Sequence, residues 1–111
     1  MTEYKVLKSR SFDHDIERIH LFLLTNNATP LIIRKILQGI YNSLARLRTN
    51  PYIGAPLSSK TSIPNNYRYL LSGKYLIFYK IFEDEKTVRI YHVFHGKENY
   101  LVKLNLNDST D

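Results

Sequence analysis

The chain has 111 residues, a single-domain length, and 43% of them are hydrophobic, which suffices for one modest core. It contains no cysteine, so disulfides, thiolate metal sites and cysteine nucleophiles are excluded. The formal net charge is +6, and no Asp or Glu occurs between Glu17 and Glu83, which indicates an anionic partner, either nucleic acid or an acidic protein.

The sequence also indicates where the protein works. No N-terminal stretch has the order of a signal peptide, and no apolar run approaches the roughly 20 residues needed to cross a bilayer. We therefore expect a soluble, cytoplasmic protein with no membrane partner. Residues 1–106 are expected to form one domain, and residues 107–111 a polar, disordered C-terminal tail.

The first predicted elements are a short strand and two helices. Tyr4–Lys8 alternates like a strand. Ser11, with carboxylates in the turn that follows it, predicts the N-cap of a first helix that ends at Asn26-Asn27. Thr29-Pro30 begins a second helix, whose apolar stripe runs to Leu47. Because very few residues join them, the two helices are expected to form an antiparallel hairpin.

The second half of the chain predicts a sheet. Residues 51–66, rich in Pro and Ser, are expected to be a loop, and the strands that follow are Tyr67–Leu71, Tyr75–Phe82 and Thr87–Phe94. Residues 98–106 are extended or helical. The result is an α+β fold, in which an N-terminal strand and a helical hairpin accompany a mainly antiparallel, four-stranded sheet with the helices on one face. The other face is expected to stay partly open and to hold any site.

Residues for catalysis are few. The four histidines are not grouped with acids, so neither a metal nor a cofactor is expected. Metal-free chemistry on a phosphodiester needs cations to hold the phosphate and a His, Tyr or Lys to move protons. The predicted sheet offers such groups at six positions: Arg68, Lys74, His92, His95, Lys97 and Tyr100.

Strand alternation assigns the two sheet histidines to different faces. His92 shares its parity with Val88, Ile90 and Phe94, so it is expected to face the helices as a core histidine. His95 has the opposite parity and lies at a strand end beside a glycine, so it is the better functional candidate. The sheet tyrosines are expected mainly to pack.

Several segments, in this order, resemble the RelE/ParE toxins of bacterial type II toxin–antitoxin modules. They are Tyr67-Arg68-Tyr69, the strand Tyr75–Ile81 after Gly73-Lys74, the strand Val88–Val93, and the end His95–Tyr100. The resemblance covers roughly residues 3–104. It implies a toxin that inhibits growth, acts in plasmid stabilisation and is neutralised by a small antitoxin encoded beside it.

The resemblance also implies a choice between two targets. RelE-like members cleave mRNA on the ribosome with a basic sheet face, whereas ParE-like members block DNA gyrase and lack that set. At three positions where the RelE-like pattern has cations, this sequence has Leu70, Leu76 and Glu98. A ParE-like gyrase inhibitor is therefore favoured.

Two alternatives stay open. The first is a ribosome-dependent endoribonuclease in which Arg68 and Lys74 hold phosphate and His95 or Tyr100 moves protons. The second is a toxin-fold domain without activity that only binds its partner. For contact with a partner, the candidates are four cations: Arg46, Arg48, Arg89 and Lys97.

Overall fold

The structure is a computed structural model that describes residues 2–106, so the predicted tail at 107–111 lies outside the described residues. Five strands and three α-helices follow in the order β1, α1, α2, β2, β3, β4, β5, α3, with three short 3₁₀ helices in the connections between them. Their bounds are β1 Lys5–Lys8, α1 Arg10–Thr25, α2 Pro30–Leu47, β2 Ala55–Pro56, β3 Arg68–Ser72, β4 Tyr75–Phe82, β5 Thr87–His95 and α3 Tyr100–Lys103. Within residues 2–106, no helix is long and apolar enough to span a membrane.

Both long helices begin at a side-chain cap, but the first cap differs from the prediction. Ser9, rather than Ser11, accepts a hydrogen bond from the Phe12 N–H at 3.0 Å, so α1 begins two residues earlier than predicted. Ser9 Oγ also donates to the Tyr91 carbonyl at 2.9 Å, and this bond to β5 selects it over Ser11. Thr29 caps α2 as predicted, with Pro30 in the first turn.

The strands form one mixed sheet in the order β1-β5-β4-β3-β2. β1 pairs with β5 in parallel, and the other neighbours are antiparallel. The predicted α+β architecture is confirmed, but the sheet has five strands rather than four. The additional strand, β2, lies within the predicted 51–66 loop and pairs with Tyr69 and Arg68 of β3.

The helices cover one face of the sheet and form the helix-side core with it. Apolar residues recur at helical spacing on α1 and α2, and alternate residues of β3, β4 and β5 meet them. The buried members of this core are Phe12, Ile19, Ile40, Leu44, Leu47, Leu70, Tyr75, Ile77, Tyr79, Val88, Ile90 and Val93.

Tyr79 fixes the start of the long loop to this core. Its ring is fully buried, and its hydroxyl donates to the Pro51 carbonyl at 2.7 Å and accepts from the Gly54 N–H at 3.2 Å. A Cβ at Gly54 would lie 2.3 Å from the Tyr69 carbonyl oxygen, so only glycine fits against β3 there. The chain leaving α2 is thus held at a set distance from the sheet.

A β-bulge in β5 changes which residues face the helices. Phe78 pairs with His92, but Tyr79 pairs with Ile90, so Tyr91 is an extra residue. Beyond the bulge the alternation is reversed. His92 is therefore not the helix-side core residue that was predicted: it lies opposite Phe78 and stacks on Phe94 at 4.9 Å between ring centroids, although its Nδ1 lies 2.8 Å from a carboxylate oxygen of Asp15 on α1. His95 instead faces the helix side, opposite Tyr75.

The other face of the sheet is not open as predicted. A second core forms there, because the loop after β2 and the segment 100–106 fold across β4 and β5. Its buried members are Leu57, Leu76, Phe78, Phe94, Leu104 and Leu106, and Tyr67, Tyr69, Ile63, Tyr100 and Leu101 pack against them. Two segments that were predicted only as a loop, 51–66, and as extended or helical chain, 98–106, therefore cover this face.

Candidate functional site

A cavity of about 490 Å³ opens where α1, the β3–β4 turn and the end of β5 meet. Its lining combines an apolar floor with charged walls. The lining residues are Arg18, Ile19, Phe22, Lys74, Tyr75, His95, Lys97 and Glu98. Three of the residues predicted as functional, Lys74, His95 and Lys97, therefore lie together.

Two backbone turns hold this cavity in shape. Gly73 has φ +58°, a left-handed conformation that glycine adopts without strain, and it directs the chain from β3 into β4. The Gly96 N–H donates to the Lys74 carbonyl at 2.8 Å, so the turn after β5 is tied to the turn before β4. The two lysines that follow these glycines are thus kept close to one another.

Glu98 is the one acidic residue of the cavity lining, and its carboxylate is already engaged. It accepts the His95 N–H at 2.7 Å and Lys103 Nζ at 2.6 Å, and Arg18 Nη1 lies 3.3 Å away. Partial burial favours a higher pKa, but these hydrogen bonds and the nearby cations outweigh it, so the Glu98 pKa lies below its ordinary value. Glu98 is therefore a fixed anion that organises the turn.

The other polar groups of the cavity are held in defined states. His95 Nδ1 accepts the Lys97 N–H at 3.0 Å, which places the ring proton on Nε2. Burial and then the charge of Glu98 raise the Tyr75 pKa above 10.0, with Arg18 opposing them. Tyr75 consequently stays protonated at neutral pH and offers a phenol hydroxyl to the cavity.

Arg68, predicted to hold phosphate, is elsewhere. It lies opposite Tyr79, four residues along β4 from Tyr75, which is roughly 14 Å along the strand. Its guanidinium donates to the Gly54 carbonyl at 2.6 Å and the Tyr52 carbonyl at 3.3 Å. Arg68 therefore braces the loop after α2.

Tyr100, predicted to move protons, lies on the opposite side of the sheet. Its ring packs 5.3 Å from that of Phe78, centroid to centroid, in the second core. The four predicted catalytic residues thus divide among three places, and only Lys74 and His95 share one. A phosphodiester could not contact all four at once.

The four predicted partner-binding cations are also dispersed. Lys97 lines the cavity, whereas Arg89 is exposed on β5 opposite Lys80. Arg46 donates to Ser43 Oγ at 3.2 Å, and Arg48 lies 3.4 Å from a carboxylate oxygen of Glu3. Arg46 and Arg48 at the end of α2 therefore belong to a different surface from Lys97.

Two functional candidates were missed from the sequence. Arg18 contributes a guanidinium to the cavity wall, which its position in a helix did not reveal. Asp15, which is 7% exposed, accepts the Val93 N–H at 3.1 Å and lies 2.8 Å from His92 Nδ1. Its spacing from Phe12 and Ile19 was the available signal, because it places Asp15 on the apolar face of α1. Within residues 2–106, no cluster of three His, Asp or Glu side chains could hold a metal ion.

The same fold occurs in solved structures of bacterial toxin–antitoxin systems. The ParDE system of P. aeruginosa superposes with a TM-score of 0.67 at 16% identity, over 84% of this chain and 96% of that one. RelBE2 of Mycobacterium tuberculosis gives 0.59 at 21% identity over 86% and 93%, and E. coli RelBE gives 0.53 at 11% identity over 86% and 99%. The architecture is thus that of a RelE/ParE-type toxin.

The sequence assigns the family. Residues 6–100 match the model of the ParE toxin of type II toxin–antitoxin systems, parDE. The chain therefore belongs to this family. No curated protein sequence matches it.

Proposed function

We propose that this toxin arrests bacterial growth by inhibiting DNA gyrase and that a cognate antitoxin neutralises it. Inhibition by binding needs a shaped surface and no catalytic constellation. The observation that carries the proposal is the separation of the four candidate catalytic residues among the cavity, the loop brace at Arg68 and the second core at Tyr100. General acid–base chemistry needs its groups within hydrogen-bond reach of one substrate, so Arg68 and Tyr100 cannot act there together with Lys74 and His95.

The three positions that lack the expected cations support the same function. Leu70 and Leu76 are 7% and 5% exposed and pack in the helix-side core and the second core respectively. Glu98 is held by Lys103, Arg18 and the His95 N–H. Each of these residues has a structural task that a cation at its position would disturb.

The covered second face is a further argument against an RNA-cleaving sheet. Leu104 and Leu106 lie over Phe78 and Phe94, so the middle of β4 is closed to a nucleic acid on that side. Lys80, on the same face, is only 6% exposed and lies between the rings of Tyr67 and Tyr91. An RNA strand could reach this surface only if the C-terminal segment moved away.

An antitoxin partner fits the charge of the chain. The three structures compared above are of toxin–antitoxin systems, two of them described as complexes. The stretch between Glu17 and Glu83 carries no acid, so its charged residues are all cations over the second half of α1, over α2 and over strands β2, β3 and β4. A partner of opposite charge is favoured in both encounter rate and register.

One observation favours the alternative function, a ribosome-dependent endoribonuclease. Lys74, His95 and Lys97 share one cavity, and a histidine between two lysines could hold a phosphate and move a proton. This set would need no Arg68 or Tyr100. The two functions therefore differ in one residue that can be tested directly, His95.

The test uses the purified protein in two parallel assays. In the first, gyrase and supercoiled plasmid are incubated with the toxin, and we expect trapped cleavage complexes or lost supercoiling. In the second, translating ribosomes receive the toxin and the mRNA is mapped by primer extension, where we expect no cuts. His95→Ala is compared with His20→Ala, an exposed histidine of α1 outside the cavity. Position-specific cuts that disappear only in His95→Ala would overturn the gyrase proposal in favour of the nuclease.

A further inference from the structure

We propose that the cavity between α1 and the turns at residues 73–74 and 96–98 is a docking pocket for an acidic, amphipathic segment of a protein partner. Such a segment would place an apolar side chain against Phe22 and a carboxylate beside Lys74 and Lys97. This inference deepens the proposed function and rests on it, because the occupant that we assign to the pocket is a segment of the antitoxin.

The apolar part of the pocket is incomplete without an occupant. Ile19 and Tyr75 are 3% and 8% exposed and form its floor. Phe22, one helical turn after Ile19, has 60% of its surface in contact with solvent although it lines the same cavity. An apolar side chain that entered beside Phe22 would remove apolar surface of both itself and the Phe22 ring from water. Burial of apolar surface is the main source of affinity in such pockets.

The charged part of the pocket has an excess of positive charge. Three of its lining residues, Arg18, Lys74 and Lys97, are cationic, against the single carboxylate of Glu98. Arg18 is already paired with that carboxylate. Within residues 2–106, neither lysine ammonium forms an ion pair, so both are available to an incoming anion.

The backbone that carries the two lysines is also fixed in advance. The hydrogen bond from the Gly96 N–H to the Lys74 carbonyl joins their turns, and the bond from the Lys97 N–H to His95 Nδ1 fixes the second turn further. Little backbone order would have to be gained on binding, which reduces its entropic cost.

The chemistry of the walls favours an acidic protein segment over a nucleic acid. A phosphodiester chain would place repeated negative charge near Glu98 and would leave Phe22 against polar sugar or water. An amphipathic segment satisfies both parts of the pocket, because a carboxylate and an apolar side chain can lie a few residues apart. The apolar floor and the exposed ring therefore decide between the two.

The experiment measures binding to the full-length, isotope-labelled protein by amide chemical shifts, which detect weak complexes. The probes are short synthetic peptides that contain one leucine or phenylalanine and one or two glutamates at different spacings. Matched peptides carry lysine or glutamine in place of glutamate, and a short single-stranded RNA is a further probe. We expect the acidic peptides to shift amides of residues 18–22, 73–75 and 95–98, and the lysine and glutamine peptides to bind at least about tenfold more weakly.

Variants then test the two parts of the pocket separately. Lys74→Glu combined with Lys97→Glu should weaken the best acidic peptide by more than about tenfold, because two ion pairs are replaced by repulsion. The charge-matched control is Arg34→Glu with Lys35→Glu on α2, outside the pocket, and it should change binding by less than about threefold because exposed charges act weakly at a distance. Amide spectra of each variant report whether the fold is retained.

Phe22→Ala tests the apolar part. It should weaken the same peptide about tenfold, whereas Leu31→Ala, a similar truncation at another exposed position, should not. The pocket is overturned as a peptide site if no acidic peptide is preferred over its lysine counterpart, if both charge variants weaken binding equally, or if the RNA shifts the same amides more strongly. The gyrase assay is independent of this titration, so a toxin that binds the peptide but spares gyrase would refute the proposed target alone.

Discussion

The two faces of the sheet are both buried, but different kinds of chain cover them. The helix-side core is covered by α1 and α2, two long helices with a continuous apolar stripe. The second core is covered by the turn around Leu57 and by the segment that carries Leu104 and Leu106. The apolar residues of these short segments recur with no regular period, so the sequence did not predict that they form a core. Short irregular segments can close a sheet face as completely as a helical hairpin does.

This difference has a consequence for function. Because both faces of the sheet are covered, a partner must bind at the edges and ends of the sheet or on the outer surfaces of the helices. The cavity beside Phe22 is such a surface, since it lies where the helix-side core ends and neither cover extends. We therefore expect a partner to bind at this end of the sheet rather than on either of its faces.

The largest effect is expected from truncation in the middle of β4, where adjacent residues face opposite cores. Ile77 and Phe78 are both fully buried, on the helix side and in the second core respectively. Phe78→Ala should lower the free energy of unfolding by about 3–5 kcal/mol, and Ile77→Ala by about 2–5 kcal/mol. Denaturant unfolding monitored by circular dichroism measures both. If Phe78→Ala costs less than about 1 kcal/mol, the second face is an open surface and the comparison fails.

A smaller effect is expected from the cover of the second face. Leu104 is 7% exposed, so Leu104→Ala should cost about 2–3 kcal/mol, at the low end for a buried leucine because the short segment can adjust to the missing volume. Val102, in the same segment, is 65% exposed, and Val102→Ala should change stability by less than about 0.5 kcal/mol. Equal effects of the two variants in chemical denaturation would mean that residues 100–106 do not cover the sheet.

Most of the helix-side architecture could be predicted from the sequence, because it follows regular periods. The span of β4, Tyr75–Phe82, agrees with the prediction, and the cap of α2 at Thr29 was recognised from Thr-Pro. The bulge at Tyr91 could not be predicted, since an inserted tyrosine looks like any strand residue. That one residue reversed the alternation after it and made the expected orientation of both His92 and His95 wrong.

The candidate site was only partly predictable for a related reason. Lys74 and Lys97 follow glycines at two turns, so both were recognised at strand ends, and the antiparallel order of β4 and β5 brings those turns together. Arg18 reaches the cavity from a helix, and its contact with Glu98 joins two residues near opposite ends of the sequence. Contacts of that range depend on how α1 lies against β5, which no local pattern encodes.

The smallest effect is expected at the opposite end of β4, where a polar cluster joins the β4–β5 turn to Tyr4 and to the loop after α2. Glu83 accepts hydrogen bonds from the hydroxyls of Tyr4 and Tyr52 and from Lys86 Nζ. Bonds from Tyr52, then Lys86 and Tyr4, lower the Glu83 pKa from 4.5 to about 2. Unlike the lysines of the cavity, this carboxylate has all its partners within the fold.

The depressed pKa gives this contrast a pH signature. A carboxylate whose pKa is lower in the folded state stabilises the fold fully above its unfolded pKa of 4.5 and loses that contribution as the pH falls toward 2. Glu83→Gln should therefore be slightly less stable than the wild type at pH 7, with a difference that shrinks between pH 4.5 and 2. Because Glu83 is exposed, the effect should be small and should weaken further with salt. Asp84→Asn, in the same turn, is the control, and thermal unfolding across this pH range measures all three proteins. A Glu83→Gln difference that stays constant with pH would show that the cluster contributes by packing rather than by its charge.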